Sequence, residues 1–118
     1  MNLNQLEEIM QKSIELGKSI ALSTVYKDFK KAENDLLHNP GACKIVEDLQ
    51  KMKSEQQGKK MAGIEITKEE LETLRLLENT CLKDRQVLIS NDANTQFQQL
   101  MEDMSKNIKV GIKSIDQE

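Results

Sequence analysis

Three kinds of side chain in this sequence could carry chemistry: one histidine, two cysteines and a cluster of carboxylates. His38 is the only imidazole, and no serine, cysteine or carboxylate stands in a pattern that predicts a nucleophile or base beside it. A histidine near the end of a helix is favoured by the helix dipole. We therefore interpret His38 as a capping or surface residue.

The two cysteines, Cys43 and Cys81, are isolated in the sequence and form no C-x-x-C pair. Structural zinc usually requires four converging cysteine or histidine ligands, which this chain does not supply. Nothing at the N-terminus resembles a signal peptide, so a disulfide is not expected either. We predict two free thiols in a reducing cytoplasm and no metal site.

Four carboxylates, Glu65, Glu69, Glu70 and Glu72, cluster just before and inside a predicted helix start. Acidic side chains are attracted to helix N-termini, so this cluster has a structural explanation. We expect no paired-carboxylate catalysis and predict that the protein is not an enzyme.

Composition limits the remaining functions. The 118 residues suffice for a single domain, 1–118, and combine 37% apolar with 31% charged residues. That balance suits slender helices with narrow buried stripes. No apolar run approaches the roughly 20 residues of a membrane span. A net charge of −3 argues weakly against nucleic-acid binding.

Lysines concentrate at two places that could still attract nucleic acid. They are Lys51, Lys53, Lys59 and Lys60, and Lys106, Lys109 and Lys113. No aromatic residues alternate with them to stack bases, so a solvated helix face is the simpler interpretation. The alternative is a nucleic-acid binder that uses a composite basic face of an oligomer.

Of the elements that must position these residues, the turn around Gly63 is the clearest. Thr67 and Glu70 match a capping box, in which the threonine hydroxyl accepts from the Glu70 amide and the carboxylate reaches the Thr67 amide. Ile66 and Leu71 match a hydrophobic staple, and Gly63 fits the left-handed residue that ends a helix. The short connector predicts a long helical hairpin around residues 40–90.

The N-terminal third predicts two helices. Apolar residues recur at helical spacing over residues 3–16, with Gly17 as the predicted stop and Ser23 as the N-cap of the next helix. An uninterrupted helix through Gly17 is the alternative, because one glycine costs only about 1 kcal/mol relative to alanine.

The third helix is predicted from Pro40 to Ala62. Asn39 is a good N-cap, and Pro40 suits the first helical position. Beyond residue 52 the apolar stripe fades, so we predict a projecting polar arm that is anchored again at Met61.

The C-terminal third carries the cleanest apolar stripe. We predict a break or bend at Ser90–Asp92, with one continuous helix as the alternative, and fraying at Gly111. The stripe supplies the candidate self-association face: Phe97, Leu100, Met101, Met104 and Ile108. Completing the core of a single chain is the other explanation. The predicted fold class is an all-α antiparallel bundle of four to five helices.

Three segments resemble the YlbF/YmcA family of small all-helical bacterial proteins, and most of all its YheA-type branch. They read Ser23-x-x-Tyr26-x-x-Phe29-x-x-Ala32-Glu33, then Asn39-Pro40-x-Ala42, and Lys60-Met61-Ala62-Gly63-x-Glu65-Ile66-Thr67-x-Glu69-Glu70. The last is the most specific. With the helical remainder, the resemblance spans most of the chain.

The resemblance implies a self-associating cytoplasmic regulatory adaptor. In the YlbF and YmcA branches such proteins act with a third protein in competence, sporulation, biofilm formation and RNase Y-dependent RNA maturation. Members of that complex are linked to iron–sulfur clusters through cysteines near their C-termini. This chain ends Ser114-Ile115-Asp116-Gln117-Glu118 without such cysteines, so no cluster is expected.

Overall fold

The computed structural model describes residues 3–117. Its five α-helices are α1 (Leu3–Ala21), α2 (Thr24–Leu37), α3 (Pro40–Met61), α4 (Lys68–Lys83) and α5 (Arg85–Asp116). No strand lies in this part of the chain, which confirms the all-α class.

The described chain forms two compact units. Residues up to Lys31 and from Ala93 onward form unit 1, and Ala32–Asp92 form unit 2. The assignment of residues 1–118 to a single domain stays a prediction.

The core of unit 2 is built from small side chains. Ala42, Cys81 and Val87 are buried at its centre. Half-buried apolar side chains of α2 and α3 pack around them: Leu36, Ile45, Val46 and Leu49. Small residues at the centre let helices approach closely, but they remove little apolar surface from water.

Helices α3 and α4 form the predicted antiparallel hairpin. Near the turn, Gln56 of α3 donates to the carbonyl of Glu70 at 2.9 Å, whereas farther away Cys81 of α4 approaches the carbonyl of Ile45. Contacts move backwards along α3 as they move forwards along α4, so the two helices run in opposite directions.

Backbone capping at Gly63 closes this hairpin. Gly63 has a φ of 73°, and its amide donates to the carbonyl of Lys60 while the amide of Ile64 donates to that of Lys59. This pair of hydrogen bonds is a Schellman motif, which satisfies the last carbonyls of α3. Ala62, predicted to be the last helical residue, is the C-cap.

Side-chain caps begin α2 and α3. Asn39 accepts from the amide of Ala42 at 3.1 Å, with Pro40 in the first helical turn. Ser23 accepts from the amide of Tyr26 at 3.1 Å and begins α2. These short-range bonds fix helix boundaries because each satisfies an amide that has no partner within its own helix.

The helix stop predicted at Gly17 and the fraying predicted at Gly111 are both wrong, and the alternative of a helix that continues through Gly17 is correct. Helix α1 passes through Gly17 to Ala21, and α5 passes through Gly111 to Asp116. A glycine penalty of about 1 kcal/mol is small beside the propagation of a long helix, so neither residue stops one.

The break predicted at Ser90–Asp92 is also wrong, because α5 is one uninterrupted helix from Arg85 to Asp116, which was the alternative. Ser90 donates to the carbonyl of Ala32 in α2 at 3.2 Å and accepts from Gln86. The chain breaks instead at Asp84, which ends α4 and whose carboxylate accepts from the amide of Val87 at 3.0 Å.

The polar arm anchored at Met61 is a third correction. Met61 is 80% exposed, whereas Gln56, expected on the arm, is buried. The second half of α3 is held against α4 by Gln56 and Lys59, so polar side chains take the place of the missing apolar stripe.

Candidate interaction surface

Helix α1 presents an apolar face that is largely exposed in the described chain. Its large apolar side chains, which we call the α1 stripe, are 39–75% exposed: Leu3, Leu6, Ile9, Met10, Ile14 and Leu16. None of the residues of Leu3–Ala21 is buried. Most helical stability in proteins comes from packing of such an apolar face, so α1 gains little of it within the described chain.

Helix α5 carries a second apolar face in unit 1. We call it the α5 stripe: Phe97, Leu100, Met101, Met104, Ile108, Ile112 and Ile115. At its start Phe97 stacks on Phe29 of α2, with ring centroids 4.8 Å apart, and lies 5.6 Å from the ring of Tyr26. This aromatic cluster ties α5 to α2 within the unit.

The predicted self-association face on α5 therefore has a half-buried part and an exposed part. Phe97, Leu100 and Met104 are half-buried, while Met101 and Ile108 are exposed. Towards the C-terminus the exposure rises, reaching 68% at Ile115. Part of the face completes the core of one chain, and the remainder is left open to water.

Charged residues organise the hairpin turn. The Thr67 hydroxyl accepts from the amide of Glu70 at 3.1 Å, and the Glu70 carboxylate pairs with Lys59 at 2.7 Å. The hydrogen bond from Lys59 lowers the pKa of Glu70, and Thr67 lowers it further through its hydroxyl and backbone. Of the predicted staple residues, Ile66 is half-buried and Leu71 is exposed.

The low pKa of Glu70 predicts an acid-sensitive turn. Because folding lowers this pKa, the stabilisation is complete above the pKa of an unfolded glutamate and is lost as the pH falls through the lower folded value. We expect Glu70→Gln to destabilise the protein near neutral pH, with the difference from wild type shrinking on acidification. Urea unfolding of both proteins across acidic pH measures this; a pH-independent difference would contradict it.

The structural roles of two residues were not predicted from the sequence. Gln56 is buried and satisfies its amide on the Glu70 carbonyl, yet its polar neighbours gave no sign of burial. Asp84 caps α5. In the sequence it lies where the apolar seam of α4 calls for an apolar residue, and aspartate is a preferred N-cap. Together these two features could have indicated that a new helix begins there.

The histidine and the two cysteines, which are the side chains that could take part in a reaction, lie apart from one another. The His38 ring nitrogen contacts the carbonyl of Asn34 at 2.8 Å, at the end of α2. Cys81 is buried, which raises its thiol pKa, and Cys43 hydrogen-bonds Glu47, which raises its own. Both cysteines are free.

The glutamates clustered near the turn do not converge either. Glu70 pairs with Lys59, and Glu72 forms an ion pair with Arg75, which lowers the pKa of Glu72. Among residues 3–117, no group of three or more histidine, cysteine, aspartate and glutamate side chains could hold a metal ion.

One groove lies along the hairpin, between α3 and α4. It is open to solvent and lined by Asp48, Lys51, Met52, Glu55 and Leu77. Its mixed charges point to no particular ligand. No helix within the described residues is both long enough and apolar enough to cross a membrane.

Comparison with known proteins identifies the family. Residues 9–113 match the family model described as "Control of competence regulator ComK, YlbF/YmcA". Neither the curated proteins nor the solved structures yield a significant match. The YheA-type branch stays a prediction. Because the match spans most of the 118 residues, the chain belongs to the YlbF/YmcA family, a regulatory family linked to control of the competence regulator ComK.

Proposed function

We propose that this protein is a non-enzymatic, self-associating adaptor of the bacterial cytoplasm that regulates competence through helical protein contacts. The single observation that carries the proposal is the uncovered α1 stripe. Exposed apolar patches of this extent mark interaction sites in soluble proteins. Family membership adds the regulatory context.

The small core of the chain supports the same proposal. The apolar residues buried in the described part are Ala32, Ala42, Cys81, Val87 and Ala93, and none is larger than valine. A core of this size offers little of the apolar burial that offsets chain entropy. Contacts with other chains supply what is missing, as in oligomers whose folding and assembly are coupled.

The resemblance suggests which partners the adaptor meets. We propose RNase Y and a YaaT-like protein, the components with which YlbF and YmcA act. The proposed adaptor works without an iron–sulfur cluster, since the sequence has two cysteines, Cys43 and Cys81, whereas such clusters are usually held by four. A purified protein with visible cluster absorption would contradict this part.

Direct nucleic-acid binding is the alternative function, and the experiment described below distinguishes it from the adaptor role. Lys59, one of the predicted basic residues, already pairs with Glu70. Lys106, Lys109 and Lys113 are exposed on α5.

Affinity capture of the native protein from its own cells, with and without nuclease, tests the proposal. We expect RNase Y and YaaT-like proteins to be recovered in both samples. Recovery of RNA alone, lost after nuclease and weakening steeply with salt, would replace the adaptor with a nucleic-acid binder. A bait carrying Leu6→Asp in the α1 stripe tests whether partner capture requires self-association through that surface; Lys12→Asp, on the polar side of α1, is its control.

A further inference from the structure

The α1 and α5 stripes have matching dimensions. The α1 stripe runs from Leu3 to Leu16, and the exposed part of the α5 stripe runs from Met101 to Ile115. At 1.5 Å per residue, each is roughly 20 Å long. Both belong to unit 1, so every copy of the chain carries the two faces together.

The spacing of the α5 stripe is typical of a helix that packs lengthwise against another helix. Its members Phe97, Met101, Met104, Ile108 and Ile115 fall four, three, four and seven residues apart. A repeat of this kind keeps one seam facing a partner along the whole length. The lysines of α5 project from the opposite side, so a helix on the seam leaves these charges in water.

A glycine with empty space beside it lies on the same side of each helix as its stripe. Gly17 follows Leu16 and lies seven residues after Met10, and Gly111 completes the α5 repeat between Ile108 and Ile115. A Cβ added at either position would meet no atom within 4 Å. A glycine weakens a helix but allows another backbone to approach closely, which accounts for its presence on a contact face.

We propose that α1 of one copy packs along the α5 stripe of a second copy, and reciprocally, in a two-fold symmetric dimer. This deepens the self-association in the proposed function and rests on it. In this reciprocal arrangement both stripes of both copies are covered. No stripe is left to bind a third copy, as expected for a closed two-fold dimer.

The area available suits a stable dimer. A half-exposed leucine, isoleucine or methionine offers roughly 30–60 Å² of apolar surface. The two stripes of both copies together bring about twenty such side chains, on the order of 1,000 Å², before any polar edge is counted. That is close to the minimum of about 1,000 Å² for a specific interface, and the polar edge adds to it.

A pair of complementary variants tests the exchange. Ile14→Glu charges the α1 stripe at a side chain that is 53% exposed, and Ile108→Lys charges the α5 stripe at one that is 52% exposed. In sedimentation velocity each variant alone should lose dimer, with Kd raised tenfold or more. Val110→Lys is the matched control: Val110 is 62% exposed on the same helix but lies off the stripe, so its Kd should not change.

Mixing the two variants gives the decisive readout. In the mixed dimer one α1–α5 contact is wild type and the other pairs glutamate with lysine, so the dimer should return. If α1 packed on α1 and α5 on α5, no contact in the mixture would be restored. A mixture that stays monomeric, or single variants that dimerise like wild type, would overturn the proposal; a variant that unfolds alone should refold in the mixture.

Glycine substitutions provide an independent test of the same contact. Gly17→Leu should weaken the dimer tenfold or more, because it forces the two backbones apart. Gly58→Leu, in α3 and likewise surrounded by empty space, should leave Kd unchanged. Equal effects at both positions would overturn the exchange. These assays use the purified chain alone, so an adaptor that captures no partner but still forms this dimer would refute only the adaptor role.

Discussion

Replacing Val87 with lysine is expected to lower the free energy of unfolding by roughly 3–5 kcal/mol, the usual penalty for an uncompensated buried charge. Val87 is only 2% exposed and lies at the centre of unit 2. It also occupies the first turn of α5, where the positive end of the helix dipole repels a cation. For a small domain this is a large share of the total stability.

Val110→Lys is the matched control for this prediction. It makes the same change in the same helix, but at a residue that is 62% exposed and close to the helix C-terminus. Its effect should stay within about 0.5 kcal/mol, as for most surface substitutions. Urea unfolding followed by circular dichroism, at equal protein concentrations, measures both. Similar losses for the two variants would show that the small core of unit 2 does not hold the fold.

Replacing Gln56 with alanine is expected to cost about 1–3 kcal/mol, the range for losing a buried hydrogen bond and its packing. Gln56 joins the polar half of α3 to the start of α4 through the carbonyl of Glu70, and its side chain is buried. Without it, the turn end of the hairpin depends on the more exposed pair Lys59–Glu70.

The neighbouring glutamine supplies the control. Gln57 is exposed on the other side of α3, so Gln57→Ala should change stability by no more than a few tenths of a kcal/mol. Hydrogen exchange should localise the effect of Gln56→Ala to α3 and the first turn of α4. Equal destabilisation by both substitutions, or exchange that rises uniformly, would contradict the role assigned to Gln56.

Local chemistry explains what the sequence could predict of this fold. A cap such as Ser23 or Thr67 acts within three residues, and the left-handed residue Gly63 acts within five, so each boundary is visible in a short window. The residues that identify the family lie largely at these same boundaries. The all-α class and the hairpin followed from them.

Tertiary contacts explain the errors. Ser90 looked like part of a break, but its hydroxyl reaches a carbonyl of α2 while α5 continues. Gln56 looked like part of a solvated arm, yet it is buried against α4 because its amide finds a carbonyl there. Such pairings join residues far apart in the chain, so local patterns of caps and apolar spacing do not reveal them.

For the candidate surface, too, the sequence predicted the apolar sides of the helices but not their burial. Helical spacing revealed which side of α1 and α5 is apolar. It could not reveal that α1 buries none of its residues, or that Phe97 is held by Phe29 while Ile108 is left exposed. What covers an apolar face is a property of the assembled molecule and has no local signature.

Sedimentation equilibrium of the purified wild-type chain at micromolar concentration tests the central claim most directly. The account predicts a folded, helical species with at least twice the 13.5 kDa chain mass, changing little with salt because the contact is mainly apolar. A stable, fully helical monomer of 13.5 kDa under the same conditions would contradict it.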